Sequence, residues 1–417
     1  MGTAAQLGSP AATVRFEEVR SIALKLLEYC RESGWAGYDP YDALNSEVFE
    51  AVPFLNSRWP RLILTQALKR SPINLRHVLH VPKTQNAKAM ALFLQAFLKL
   101  AKLGIPGQDS LADLMIERLT ALRSQGTPYW CWGYSFAWQT RTKVVPLGTP
   151  NLVCTTFCAN ALLDAYEQRG DARCLEMAAS AGEFILDRLY WAEGNASGFC
   201  YPLPEIRGSI HNGNFLGAAL LARIQKHTGQ KKFLEPALRV ARYSAGYQHA
   251  DGSWLYGEAP TQGWVDNFHT GYNLGALQTM GRCLGSDEFE GKVRRGWQFY
   301  REHFFREDGA PRYFHNQTYP LDIHCVAQSI LTPLDFKHLD ASAASLAEGV
   351  YRWAIRHMWD ERGFFYYRVL RLCTIRTPYM RWSEAWMLLA LAALLGDSNP
   401  AADPVQRRDS AALAEVC

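Results

Sequence analysis

At 417 residues, with 48% hydrophobic and 20% charged positions, the chain holds ample apolar material for a large folded core. A net charge of +4 with no basic stripe argues against nucleic acid as a partner. The longest apolar run, Trp386 to Leu395, is too short for a membrane span.

Residues 1–14 are rich in Gly, Ala, Ser and Pro, with neither a basic start nor an apolar centre. They read as a tail and not a signal peptide, so a cytoplasmic protein is expected. A first helix is predicted from Phe16 to Arg31, stopping at Ser33-Gly34. The aromatic, turn-rich loop Gly37-Tyr38-Asp39-Pro40-Tyr41-Asp42 follows. A second helix, Arg58 to Lys69, is broken by Ser71-Pro72. Ala87 to Leu103 is then an apolar helix.

From there two kinds of helix alternate. Amphipathic ones are expected at about Leu111 to Arg123, Leu175 to Leu189, Phe233 to Ser244, Phe289 to His303 and Ala343 to His357. Each has one wet side and belongs outside. Phe215 to Ile224 and Trp386 to Leu395 have almost no polar face and must be buried all round.

One unit recurs five times at a spacing of 55 to 61 residues: an aromatic, glycine-marked segment, a short polar cluster, then an apolar helix. The clusters are Thr149-Pro150-Asn151, Ile210-His211-Asn212, Val265-Asp266-Asn267, Leu321-Asp322-Ile323 and Met380-Arg381-Trp382. With the helix at Ala87 this makes six inner and six outer helices. The predicted fold is all-α, an (α/α)6 toroid in one domain, residues 15–396, followed by a polar tail at 397–417. Strand-like aromatic segments (Tyr129 to Trp138, Gly198 to Pro202, Asp251 to Tyr256, Pro311 to Phe314, Gly363 to Val369) fall in the outer-to-inner connections. These loops share one mouth, where binding residues are expected.

The inner-helix starts carry the chemistry. Asp266, His269 and Asn273 lie at i, i+3 and i+7 on one face, and Arg381 and Glu384 lie at i and i+3. His211 and Asn214 repeat that spacing, and Asp322 with His324 opens a fifth helix. Asp266, Asp322 and Asn151 suit simple N-caps, but capping does not account for His269 or Asn273. Glycoside hydrolysis needs two carboxyls across the scissile bond, which makes Asp266, Asp322 and Glu384 the candidates, with His269 sharing the role of Asp266. Uronate epimerisation or elimination needs a base and an acid, often Tyr or His; Tyr201, Tyr319, Tyr366, Tyr367, His211 and His269 are available. His211, Asn273, Trp138, Trp254, Trp264 and Tyr366 are candidate substrate contacts, and Arg381 is placed to hold an anionic sugar. The ten cysteines are scattered singly, without a CxxC pair, and read as reduced core thiols. No metal and no cofactor are expected.

The chain resembles the six-hairpin glycosidase superfamily, and within it the VpsJ-type proteins encoded with exopolysaccharide biosynthesis genes. The strings that carry this are Gly34-Trp35-Ala36-Gly37-Tyr38-Asp39-Pro40-Tyr41-Asp42, Lys69-Arg70-Ser71-Pro72-Ile73-Asn74-Leu75-Arg76, Thr149-Pro150-Asn151-Leu152-Val153 and Tyr379-Met380-Arg381-Trp382-Ser383-Glu384-Ala385-Trp386. Trp264-Val265-Asp266 is similar to the inner-helix motif of unsaturated glucuronyl hydrolases, whose aspartate acts as acid and base. The resemblance departs from that motif at Asn267. Phe268-His269-Thr270 is similar to a Tyr-His-Thr run of glucuronyl C5-epimerases.

The resemblance implies a carbohydrate-active protein of exopolysaccharide or capsule biosynthesis, hydrolase-like or uronate-modifying. Its partner would be an oligosaccharide or polysaccharide, and it would associate with glycan-assembly enzymes. Two other readings stand beside it. One is a non-catalytic glycan-binding or assembly protein on the same ring. The other is a terpene cyclase or prenyltransferase-like toroid, suggested by Asp251-Gly252-Ser253-Trp254.

Overall fold

The computed structural model describes residues 10–398, except 53, 54, 56, 141 and 142. The predicted tails at 1–14 and 397–417 fall mostly outside these residues. The helix expected from Phe16 already runs from Pro10, and the last helix continues to Ser398.

Fourteen helices are present among the described residues: α1 (Pro10–Glu32), α2 (Glu47–Ala51), α3 (Arg58–Arg70), α4 (Ala87–Lys102), α5 (Gln108–Ala121), α6 (Leu152–Arg169), α7 (Ala172–Phe184), α8 (His211–Thr228), α9 (Leu234–Gly246), α10 (Asn267–Leu284), α11 (Glu290–Phe304), α12 (Ile323–Phe336), α13 (Ala343–Met358) and α14 (Ala385–Ser398). Helices α4, α6, α8, α10, α12 and α14 each pack on the next, and α14 packs back on α4. The inner ring is therefore closed. Outside it stand α5, α7, α9, α11 and α13, and α1 supplies the sixth outer helix by packing on α14. The architecture is an (α/α)6 toroid. Among the described residues no helix is long and apolar enough to cross a membrane.

Local chemistry sets the helix ends. The side chains of Asn86, Asn151, Asp266 and Asp322 cap α4, α6, α10 and α12 by accepting from backbone N–H groups of the first turn. Gly170, Gly229 and Gly285, in the left-handed conformation, close α6, α8 and α10. Caps lie at the mouth and glycines at the base, so the base connections are short.

The mouth connections are long, as expected, but mostly irregular. Tyr190–Glu193 pairs antiparallel with Ala196–Phe199, Trp138 opposes Val145, and Leu321–Asp322 joins Arg368–Val369 and Thr374–Ile375 in a three-stranded sheet. The predicted strand-like run Asp251 to Tyr256 forms no strand. Its turn serves a different purpose. A Cβ on Gly252 (φ +94°) would fall 2.3 Å from the Arg295 carbonyl oxygen of α11. Gly309 (φ +87°) approaches the Gly349 carbonyl oxygen of α13, and Gly363 (φ +95°) approaches that of Lys25 on α1. At one repeat position, then, these three loops each lay a glycine on the next outer helix, and the third contact uses α1.

Candidate active site

All six inner helices start at one mouth, around a cleft of about 440 Å³. The N-cap positions of the five α-helical starts are Asn86, Asn151, Ile210, Asp266 and Asp322; a π-helical turn, Met380–Glu384, leads into α14 after Tyr379. Two residues beyond each lie Lys88, Val153, Asn212, Phe268, His324 and Arg381, and every one lines the cleft. Trp138, Tyr134 and Phe136 come from one mouth loop, Tyr256 and Trp264 from another, and Tyr41 from the Gly37 to Asp42 loop.

The strongest chemical feature is a carboxylate–imidazole pair. Asp266 Oδ1 caps α10 by accepting from the His269 backbone N–H at 3.0 Å. Its Oδ2 lies 2.7 Å from His269 Nδ1 and accepts from Trp264 Nε1 at 3.0 Å. Because the carboxylate only accepts, Nδ1 carries a proton, and in the neutral ring Nε2 is the lone-pair nitrogen. His269 lines the cleft half-buried, while Asp266 behind it is 3% exposed.

One turn further along α10, the Tyr272 hydroxyl meets His324 Nε2 at 2.6 Å. The His324 ring is sandwiched between Phe268 (4.4 Å) and Trp386 (4.5 Å). Burial first, then the nearby Lys88 and Arg381 charges, pushes His324 well below the usual imidazole range, so it is neutral. Burial likewise raises the Tyr272 phenol well above its usual range and keeps its proton on. Stacked pairs form the walls: Tyr256 on Trp264 at 4.6 Å and Tyr134 on Phe136 at 5.3 Å.

Arg381 lines the cleft but is already engaged. Its Nε and Nη2 donate to Asp39 at 2.6 and 2.9 Å. Arg76 Nε donates to Asp42 at 2.7 Å, its Nη2 to the Asp39 carbonyl at 2.9 Å, and the Asp39 N–H donates to Asp42 at 2.8 Å. Burial pushes Asp42 up to about 6 against the pull of Arg76. Three of the strings that carry the family resemblance thus meet in one buried network of two arginines and two aspartates. The network pins the Tyr41 loop against the Trp382 turn, with the two rings 5.6 Å apart.

The structure brings Asp266, His269, Trp138, Tyr201, Trp264 and Arg381 to the cleft and leaves the other candidates out of its lining. Asp322 is wholly buried, ion-paired with Arg368, and accepts from Trp382 Nε1 at 2.8 Å and the His324 N–H at 2.9 Å. Glu384 is also wholly buried; its Oε2 accepts from the Phe365 N–H at 3.0 Å and its Oε1 has no partner among the described residues. Burial raises its carboxyl well above the ordinary range, so it is neutral. His211 turns outward to Ser244 Oγ (3.3 Å) and Tyr247, and burial depresses it to about 4. Trp254 is core, donating to the Ser244 carbonyl at 3.2 Å. Tyr366 donates to Asp360 at 2.9 Å. Asn273 edges a small hollow of about 10 Å³ behind Asp266 and His269. Among the described residues no three His, Cys, Asp or Glu side chains converge as metal ligands.

Sequence reasoning passed over Lys88, Tyr272 and the cleft role of His324. The signal that would have found Lys88 and His324 is the register itself, two residues past each cap.

No protein-family model and no curated protein matches the sequence. Solved structures do match over most of the chain. The cellobiose 2-epimerase of Spirochaeta thermophila is 15% identical with TM-score 0.56, covering 75% of this chain and 85% of that one. The family 76 α-mannanase of Bacteroides thetaiotaomicron is 12% identical with TM-score 0.58, over 76% and 88%. An unsaturated glucuronyl hydrolase specific for heparin is 12% identical with TM-score 0.50, over 74% and 85%. These neighbours are six-hairpin glycosidase superfamily proteins, and the chain shares their (α/α)6 toroid.

Proposed function

We propose that the chain is a carbohydrate-processing enzyme that moves a proton on a saccharide bound in the central cleft, by an epimerase- or isomerase-type reaction. The observation that supports this over hydrolysis is the cleft's acid–base inventory. Among the described lining residues Asp266 is the single carboxylate, and both of its oxygens are engaged. Hydrolysis of a glycosidic bond calls for two carboxyl groups facing it. Proton transfer calls for a base and an acid, and both are present.

In this reading His269 Nε2 removes a proton from a C–H beside a carbonyl or carboxylate group. The Asp266 carboxylate holds the ring in that tautomer and stabilises the imidazolium that forms. Tyr272, held by His324, supplies the proton that completes the exchange. The Trp264–Tyr256 and Tyr134–Phe136 pairs offer flat apolar surfaces to sugar rings while the polar residues set orientation. The fold neighbours include a cellobiose 2-epimerase, a D-mannose isomerase, a mannanase and a glucuronyl hydrolase, so the fold favours carbohydrate and leaves the reaction to the site. The likeness to VpsJ-type proteins supports exopolysaccharide or capsule biosynthesis as the setting.

The test is solvent exchange. In D2O the enzyme is expected to place deuterium on a sugar carbon, and His269→Ala is expected to slow this by about 10²-fold or more. Release of a shortened glycan without deuterium in the remaining sugar would replace this reading with hydrolysis. Oligosaccharide affinity with neither reaction, unchanged by Asp266→Asn, would leave a binding protein.

A further inference from the structure

Lys88 is a basic group at the cleft to which no described residue gives a hydrogen bond or an ion pair. It lines the cleft yet is only 3% exposed. Its ammonium nitrogen lies 3.7 Å from the Phe157 ring centre, 5.3 Å from that of Trp386 and 5.6 Å from that of Tyr272. Among the described residues no carboxylate or hydrogen-bond acceptor stands within bonding distance of it. The other charges on the lining are answered: Arg381 by Asp39, and Asp266 by His269 and Trp264. Arg381 therefore does not stand free for the anionic group that the sequence assigned to it.

Three aromatic rings would accept a methionine or leucine in this place with no desolvation cost, whereas an unpaired buried ammonium is expensive. Contact with the aromatic faces offsets only part of that cost. Burial first, then the nearby Arg381 charge, drives the Lys88 pKa well below the ordinary lysine range. An anion brought in by the substrate would reverse both effects.

We infer that Lys88 is the acid-group subsite of the cleft, receiving the single negative charge of an acidic sugar, a uronate carboxylate or a sulfate ester, at its floor among Phe157, Tyr272 and Trp386. One unanswered cation matches one charge, which favours these groups over a dianionic phosphate. The inference rests on the reading of the cleft as a saccharide site and not on the proton transfer proposed for it.

Calorimetric binding of D-glucuronate, D-glucose 6-sulfate and D-glucose to the full chain tests it without any turnover. At least one acidic sugar is expected to bind about tenfold or more tightly than glucose, and which one identifies the group. Lys88→Met is expected to abolish that preference while leaving glucose affinity within about twofold, and Lys88→Arg to keep part of it. The Lys88→Met protein should melt at or above the parent temperature, since a buried charge is gone; Lys88→Gln serves if it does not fold. Equal affinity for all three sugars in the parent chain, or a preference that survives Lys88→Met, overturns the assignment. Binding of none of them removes the saccharide reading along with it.

Discussion

Two rings of residues, one position apart in sequence, have opposite fates in this toroid. One step past each helix-start position stand Ala87, Leu152, His211, Asn267, Ile323 and Met380, all buried between helices and outside the cleft lining. Two steps past stand Lys88, Val153, Asn212, Phe268, His324 and Arg381, all on the cleft. A helix turns by about 100° per residue, so a single step moves a side chain from the layer between the helices to the axis of the ring. Polarity alone does not separate the rings. His211 and Asn267 are as polar as Asn212 and His324, but they satisfy neighbouring helices: His211 reaches Ser244 on α9, and Asn267 reaches Ser329 on α12 and Tyr300 on α11.

The two rings should answer mutation differently. On the cleft side the largest effect falls on the α10 pair. Asp266→Asn keeps an oxygen to cap α10 but turns an amide N–H toward His269 Nδ1, favouring the wrong tautomer; solvent exchange should fall by about 10²-fold or more. On the buried side, Asn267→Ala should leave the Tyr300 hydroxyl and Ser329 under-satisfied. It should cost about 1–3 kcal/mol in denaturant unfolding with sugar affinity intact. Loss of sugar binding with unchanged stability would erase the distinction.

Smaller effects separate by pH. Glu384 has a raised folded pKa, so above the unfolded carboxyl range the unfolded chain releases a proton that the folded chain keeps. Stability from this group therefore falls as pH rises beyond about 4.3. Glu384→Gln should match the parent near pH 4 and exceed it at pH 7 in urea melts. His211 runs the other way. Its folded pKa is about 4 against an ordinary 6.5, so the parent loses stability as pH falls through that window. His211→Gln should flatten that loss by a small amount.

Much of this molecule was legible in the order of residues. The repeat spacing, the all-round apolar helices and the caps at Asn151, Asp266 and Asp322 foretold the ring and the common mouth. The i, i+3 placement of Asp266 and His269 foretold their contact, because neighbours on one helix meet whatever the rest of the fold does. Glu384 and Asp322 looked equally suited to catalysis. Their distinguishing partners, Phe365 for one and Arg368 with Trp382 for the other, arrive from loops remote from the repeat pattern. A π-helical turn also leads into α14, and within it Arg381 lines the cleft while Glu384 does not.

The sequence by itself determined the helices, their alternation and the end of the ring at which polar residues gather, since these follow from local periodicity and capping. Only the tertiary structure decided which polar residues face the hollow, which are answered by a partner, and that Lys88 has none among the described residues. Facing and pairing depend on groups brought together from distant segments, and no periodicity along one chain encodes the charge that another segment delivers.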